Sequence, residues 1–434
     1  MEFKNLCQLS DITKMIKRGI TPKYAEKSNI QVINQRCIRD GIIYHEPIKF
    51  HDECKKIGEE KILQNYDVLV NSTGVGTLGR VSQFFDNSDK VFTADSHVTI
   101  LRANDNIDKL YFGYAIKEKE AFITSMGEGS TGQTELSRIR LGEEVLINIP
   151  ERKTQQRIAS ILSNLDSKIE INNKIISNLE SQAQAIFKSW FVDFEPFQDG
   201  DFVESELGMI PEGWEVKELG EVADFSNGYS FKSKDLLEKK KSKNDYKVFK
   251  QADIKVGGGI NPNNTKSWID SEFIRKNKLI RFIIQSGDLM MCMTDMKNNV
   301  RLLGNTALVY QPDEYILNQR VGRLRSKQKD IKPSFLYYLT NNSVFLNDLR
   351  GRANTGVQVN LSTSEIKRSK VILPTCDIIK RFCDYSESIT KSINSLNNQN
   401  TKLAELRDAL LPKLMAGEID VSNIKIEGEE VKNE

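Results

Sequence analysis

One segment of this chain has the spacing to cradle a dinucleotide: Gly74-Val-Gly-Thr-Leu-Gly79, a literal GxGxxG that follows an apolar, strand-like run. That chemistry needs a helix next, with the pyrophosphate at its amino-terminus. The next residues are instead Arg80-Val-Ser-Gln-Phe-Phe-Asp-Asn, the pattern of a second strand and a turn, so the segment reads as a glycine-rich hairpin. No GxxxxGK[ST] phosphate loop occurs, and neither does the Asn-Pro-Pro-Tyr or Asp-Pro-Pro-Tyr tetrapeptide of amino-methyltransferases. The three His and six Cys show no zinc spacing, so neither a metal site nor a catalytic residue is expected. The side chains that remain are suited to recognition. Gly129-Ser-Thr-Gly-Gln133 with Arg138 and Arg140 is one polar, Arg-bearing cluster; Arg352-Ala-Asn-Thr-Gly-Val-Gln358 and Asn318-Gln319-Arg320 are two more. Arg reads guanine and Asn or Gln reads adenine in the major groove, while Lys and Ser/Thr serve phosphates. Arg80, Gln133, Arg138, Asn318, Gln319, Arg320, Arg352, Asn354 and Gln358 are the candidate nucleic-acid contacts. The alternative for each is ordinary loop capping.

The element that must position these loops runs from Arg152 to Pro196. Ile158, Leu162, Leu165, Ile169, Asn172, Ile176, Leu179, Ala183 and Ile186 follow steps of four and three, an a/d seam of about four heptads. From Thr154 to Ser189 it is a rod of roughly 54 Å. A second rod falls on the same frame through Phe382, Ser386, Ile389, Ile393, Leu396, Asn400, Leu403, Arg407 and Leu410, with Ser386 and Arg407 as polar intruders. Polar Asn172 and Asn400 each interrupt a seam, as register-fixing residues do.

The second half of the chain repeats the first. Gly127–Gly132 answers Gly351–Gly356, and Ile149-Pro150 answers Leu373-Pro374, in one register. Weaker echoes lie upstream: Lys4–Asp11 with Lys217–Asp224, Val32-Ile-Asn-Gln35 with Val248-Phe-Lys-Gln251, Asp67-Val-Leu-Val with Asp288-Leu-Met-Met, and Val98 and Arg102 with Val321 and Arg325. So long a period means duplicated domains. Short apolar runs at Val32-Ile33, Asp67–Val70, Val98–Leu101 and Val145–Ile149 predict strands, and Tyr111–Glu120 and Pro333–Thr340 predict helices. The expected fold class is α+β: strand-rich modules at 1–150 and 209–374, helices at 151–196 and 375–417, a linker at 197–208, and an acidic, frayed tail at 418–434. At 434 residues, two cores and two rods account for the length. The balance of 62 Lys+Arg against 60 Asp+Glu announces no polyanion partner globally, although Lys239–Lys243 and Arg320–Arg325 are locally basic. Without a CxxC pair or a signal peptide the cysteines read as reduced cytosolic thiols, and no apolar run is long enough to span a membrane.

Three stretches carry a resemblance that spans essentially the whole chain: Ala185-Ile-Phe-Lys-Ser-Trp-Phe-Val-Asp-Phe-Glu-Pro196, Leu207-Gly-Met-Ile-Pro-Glu-Gly-Trp-Glu-Val216, and Leu411-Pro-Lys-Leu-Met-Ala-Gly-Glu-Ile-Asp-Val421. Together with the helix opening Gln155-Gln-Arg-Ile-Ala159, they resemble the specificity subunits of type I restriction-modification systems. In the second copy that opening is Ile379-Lys-Arg-Phe-Cys383, a departure from the family pattern. The resemblance implies two tandem target-recognition domains, each reading one half of a split, asymmetric site on double-stranded DNA. It implies two long helices packed as an antiparallel coiled coil with pseudo-twofold symmetry, whose length sets the unread spacer. It implies a non-catalytic chain that binds no cofactor itself and recruits two adenine-N6 methyltransferase subunits and two ATP-dependent translocase/nuclease subunits, with S-adenosylmethionine, ATP and Mg on those partners. The expected location is the prokaryotic cytoplasm, with the nucleoid. The alternatives are an orphan specificity subunit without active partners and a coiled-coil scaffold whose modules bind proteins. An autonomous enzyme would need a catalytic domain, and no stretch is left to hold one.

Overall fold

The computed structural model describes residues 5–128, 134–261, 267–296, 300–310, 314–355 and 358–424. The chain forms two compact units, and each is built from two long helices cut between them. The first unit is Met1–Ile171 with Gln399–Glu434; the second is Asn172–Asn398. The helices run Arg152–Phe191 and Cys376–Ala416, each a little longer than the heptad pattern alone requires. Gly417 stops the second in the left-handed region, with a φ of 75°.

In the first unit, four antiparallel strands lie in the order Thr13–Arg18, Val98–Ala103, Val68–Asn71, Val81–Gln83. A second sheet orders Val91–Ala94, Ile30–Ile33, Lys49–His51 and Tyr24–Ala25, with its first pair parallel. The run Val68-Leu-Val70 is apolar throughout because both of its faces are covered, and alternate side chains part company. Leu69 and Ile100 point into a core with Ile33, Phe92 and Ala94 of the second sheet. Val68, Val70 and Leu101 instead meet Tyr111, Phe112 and Ile116 of the helix Lys109–Glu118. Asp108 caps that helix by accepting from the Tyr111 amide at 3.0 Å.

The second unit repeats this plan. Its four-stranded sheet is Ala223–Asn227, Val321–Ser326, Leu289–Cys292, Thr306–Leu308, and its second sheet pairs Tyr246–Phe249 with Tyr315–Leu317 in parallel. Met290 and Cys292 face Phe249 and Leu317, whereas Leu289 and Met291 face Phe335 and Leu336 of the helix Pro333–Asn341. Where the chain passes from one sheet to the other, each unit has a glycine with no room for a side chain. A Cβ on Gly19 would lie 2.0 Å from the Ala94 carbonyl oxygen, and one on Gly228 would lie 2.2 Å from that of Asn318.

The same ion pair is buried in both modules. Asp67, whose side chain is 1% exposed, accepts from Arg102 Nε and Nη2 at 2.8 and 2.7 Å and from the Gln64 amide at 2.8 Å. Asp288 accepts from Arg325 Nε, from Nη2 at 2.9 Å, and from the Gln285 amide at 2.8 Å. These are the Asp and Arg positions that echo each other in the sequence.

Every seam position of the long helices is buried or half-buried, with Asn172 fully buried. In the first unit Ile158 and Leu162 share a core with Leu410 and Leu414. There Arg407 is no seam defect: it donates to Asp166 at 2.7 Å, and Asp166 also accepts from the Tyr114 hydroxyl at 2.6 Å. In the second unit Phe187 and Phe191 pack on Phe382, with ring centroids 5.4 and 5.2 Å apart, and Phe191 packs on Trp214 at 5.9 Å. The Ala185–Pro196 motif is thus a packing device.

Two sequence-based expectations need correction. The 197–208 stretch read as a linker opens a β-hairpin, Phe202–Ser205 with Gly208–Pro211, whose Ile210 is buried in the second unit's core. The acidic tail is not frayed through 424, because Val421 is buried and Ile419 and Ile424 pack on the first unit's core; apolar side chains spaced through the tail outweigh its charge there. Among the described residues no helix is long and apolar enough to cross a membrane.

Removing one partner of a buried ion pair leaves the other charged and unsolvated. Asp67→Ala is therefore expected to destabilise the first unit by about 3–5 kcal/mol, lowering one calorimetric unfolding transition and sparing the other. Asp288→Ala should act on the other transition and more weakly, since Arg325 is 36% exposed against 16% for Arg102.

Candidate nucleic-acid interface

The glycine-rich segment joins the antiparallel strands Val68–Asn71 and Val81–Gln83, so it is a hairpin loop with no helix behind it. Gly79 closes it at a φ of 85°, its amide donating to the Asn71 carbonyl at 2.7 Å. Gly304 does the same in the second unit, at a φ of 81° and 2.9 Å from the Cys292 carbonyl. The two loops therefore match residue for residue at their ends.

Three segments meet beside each of these loops. In the first unit the Ser72 amide donates to the His97 carbonyl at 2.8 Å, and the Leu136 amide donates to the Ser72 carbonyl at 2.9 Å. The corresponding bonds in the second unit run from Met293 to Arg320 at 3.3 Å and from Leu361 to Met293 at 2.9 Å. The hairpin loop, the turn before the central strand, and the segment at Leu136 or Leu361 thus form one edge in each unit.

Side chains pin that edge. The Thr73 hydroxyl lies 3.4 Å from the Gln35 carboxamide oxygen and 2.8 Å from His97 Nδ1. Thr294 donates to Gln251 Oε1 at 2.5 Å. Arg18 donates to the carbonyls of Ser96 and Leu136 at 3.1 and 2.9 Å and to the Glu135 carboxylate at 3.0 Å. Burial lowers the Arg18 pKa, and Glu135 pushes back.

The candidate residues divide accordingly. Arg80 sits at the hairpin's base and donates to the Gly76 carbonyl at 2.8 Å. Arg138, exposed, opens the helix Arg138–Glu144 on an open groove of about 620 Å³ lined by Ile16, Arg18, Glu128 and Glu135. Gln133 lies outside the described residues. In the second unit Asn318, Gln319 and Arg320 form the turn against Met293, with Gln319 and Arg320 exposed. Asn354 and Gln358 lie in a three-stranded sheet with Thr294–Met296, where Gln358 is opposite Met296. Arg352 is not in this company: it caps the helix Ser343–Gly351, and its guanidinium is held by Asp348 through two 3.0 Å bonds. Its i,i+4 spacing from Asp348 favours that pair.

Sequence reasoning missed Gln35, Thr73, Gln251, Thr294, Arg18 and His97. A signal for four of them was present, since Gln35 and Gln251 end one echo, and Thr73 and Thr294 continue the Asp67/Asp288 echo in step. The edge mixes Arg, amide and hydroxyl groups with carboxylates, and Glu128, Glu135 and Glu144 neutralise part of its positive charge. Such a surface is suited to hydrogen bonding with base edges more than to phosphate attraction alone. Among the described residues no three His, Cys, Asp or Glu are placed to hold a metal.

Residues 1–181 and 211–406 match the family model described as the type I restriction modification DNA specificity domain. The chain is 28% identical over 372 residues to the type I restriction enzyme MjaVIII specificity subunit of Methanocaldococcus jannaschii, covering 83% of each. It is 24% identical over 422 residues to the HindI specificity subunit of Haemophilus influenzae, covering 83% of this chain and 88% of that one. The solved S subunit of the type I system from M. genitalium is similar at 17% identity and a TM-score of 0.49, covering 95% of this chain and 96% of that one. With the family's domain matching both modules, the chain belongs to the DNA specificity subunits of type I restriction-modification systems, proteins of DNA target recognition.

Proposed function

We propose that the chain reads a bipartite, asymmetric target on double-stranded DNA, one half-site per module, and directs two adenine-N6 methyltransferase subunits and two ATP-dependent translocase/nuclease subunits to it. The chain itself is non-catalytic; S-adenosylmethionine, ATP and Mg belong to those partners, and the assembly works in the cytoplasm with the nucleoid. The observation that carries this reading is the duplicated edge: the same three segments, held by the same backbone bonds, present different side chains in the two units. His97 stands where the other unit has Arg320, and Gly74 where it has Asp295. One scaffold with two sets of hydrogen-bonding groups suits two different half-sites.

The long helices would pair antiparallel as a coiled coil with pseudo-twofold symmetry and act as a ruler for the unread spacer. In support, the start of the first helix packs on the end of the second in one unit, Ile158 with Leu414, and the converse holds in the other, Phe187 with Phe382. Arg80, Gln133, Arg138, Asn318, Gln319, Arg320, Asn354 and Gln358 are the proposed contacts; Arg352 serves its own helix end.

Single-molecule sequencing of adenine methylation in host DNA, with and without the gene, tests the reading: deletion should erase one split, asymmetric motif and nothing else. No lost motif in a host whose partner subunits are expressed would refute it. Arg320→Ala in the assembled complex should relax one position of one half-site at a cost of about 1–3 kcal/mol, whereas Arg352→Ala should leave the motif intact. The ruler predicts that deleting Asn173–Leu179 together with Ile393–Gln399 removes roughly 10 Å of each helix. That is about three base pairs of spacer at ~3.4 Å each, with half-site bases unchanged. Changed bases with an unchanged spacer would sink it.

A further inference from the structure

An unexplained feature stands at the centre of both edges. Val75, at the tip of the glycine-rich hairpin, is 76% exposed, and Met296 in the second unit is 61% exposed. They follow matched threonines at the same interval, Val75 in a turn and Met296 at the end of a strand. Val68–Asn71 and Leu289–Cys292 pair with Val98 and Val321 in the same way, the bonds of Ser72 and Met293 match, and Thr73 and Thr294 follow, each on its glutamine. Counting two residues on from each threonine reaches Val75 and Met296. The two modules are otherwise divergent there, yet both keep an apolar side chain facing water.

What would cover it is indicated by the surroundings. Arg80 lies at the base of the Val75 loop, and Gln358 pairs across from Met296, so each apolar tip sits among donors suited to base edges. The apolar group available in the major groove is the C5-methyl of thymine. The backing is rigid: Thr73 bridges to Glu135, and Met296 is part of a three-stranded sheet. We infer that Val75 and Met296 are matched specificity-determining residues, each reading a thymine methyl in its own half-site through apolar contact, with the Gln35–Thr73 and Gln251–Thr294 pairs positioning them. The inference rests on the half-site reading above; a half-site that holds a target adenine holds a thymine on its other strand.

The test uses the assembled methyltransferase complex and a duplex carrying its motif, with each thymine replaced singly by deoxyuridine, which lacks only the methyl. Wild type should bind about fourfold more weakly when one particular thymine in each half-site is replaced, the weight of roughly one buried carbon. Val75→Ala should abolish the sensitivity in one half-site alone, and Met296→Ala in the other alone. Both are solvent-facing substitutions that leave folding intact. Methyl sensitivity that persists in the variants, or is absent from wild type, overturns the inference. A wild-type complex that shows no preference for the motif duplex over a scrambled one would instead overturn the half-site reading.

Discussion

A carboxylate that cannot reach water sets the frame of each module. Asp67 and Asp288 are buried where a strand begins, and each is satisfied only if its arginine, on the neighbouring strand, stands opposite. Such a pair adds little net stability after desolvation, yet it makes any other arrangement costly. A one-residue slip would turn Leu69 toward the helices and Val70 toward the second sheet, and would strip Asp67 of Arg102. The loops at the edge leave from the ends of these same strands, at Asn71 and before Val98 in one unit, at Cys292 and before Val321 in the other. Recognition by hydrogen bonds tolerates only small errors of position. The buried pair is how two divergent sequences launch their loops from the same points on the sheet.

That edge is polar without being strongly cationic. Arg18 and Arg140 are each paired with a carboxylate, and the chain as a whole is nearly neutral. A protein that grips phosphates everywhere binds any sequence well, which works against discrimination. With much of its arginine charge offset locally, this chain would draw less on general attraction and more on the fit of particular side chains, leaving the rest of the affinity to the subunits it works with.

Much of this was legible in the sequence, and the parts that were not share a cause. The long helices announced themselves because a seam is a local periodic signal, and the glycine-rich hairpin was readable because the residues after Gly79 cannot make the helix a nucleotide loop needs. The Asp67/Arg102 and Asp288/Arg325 echoes were visible as repeats, but not as ion pairs, since their members lie 35 and 37 residues apart. Arg407 looked like a flaw in its seam because Asp166, its partner, is 241 residues away. The tail and the supposed linker misled for the opposite reason: their acidic composition hid Val421 in one and Phe197 in the other, apolar residues whose packing depends on surfaces made elsewhere. Arg352 misled because a guanidinium carries no sign of whether it faces DNA or its own helix.

The division of the chain has a consequence for biosynthesis. The second unit is one continuous stretch, Asn172–Asn398, whereas the first needs Gln399 onward to cover Ile158 and Leu162 with Leu410 and Leu414. On the ribosome, the module made first is therefore completed last. At ~10 residues per second, its half-helix waits on the order of 20 s for the strand of chain that seals it. During that interval the later module can finish its own core. The nascent first module must hold an apolar helical face in water, where chaperones, or the wrong neighbour, can find it.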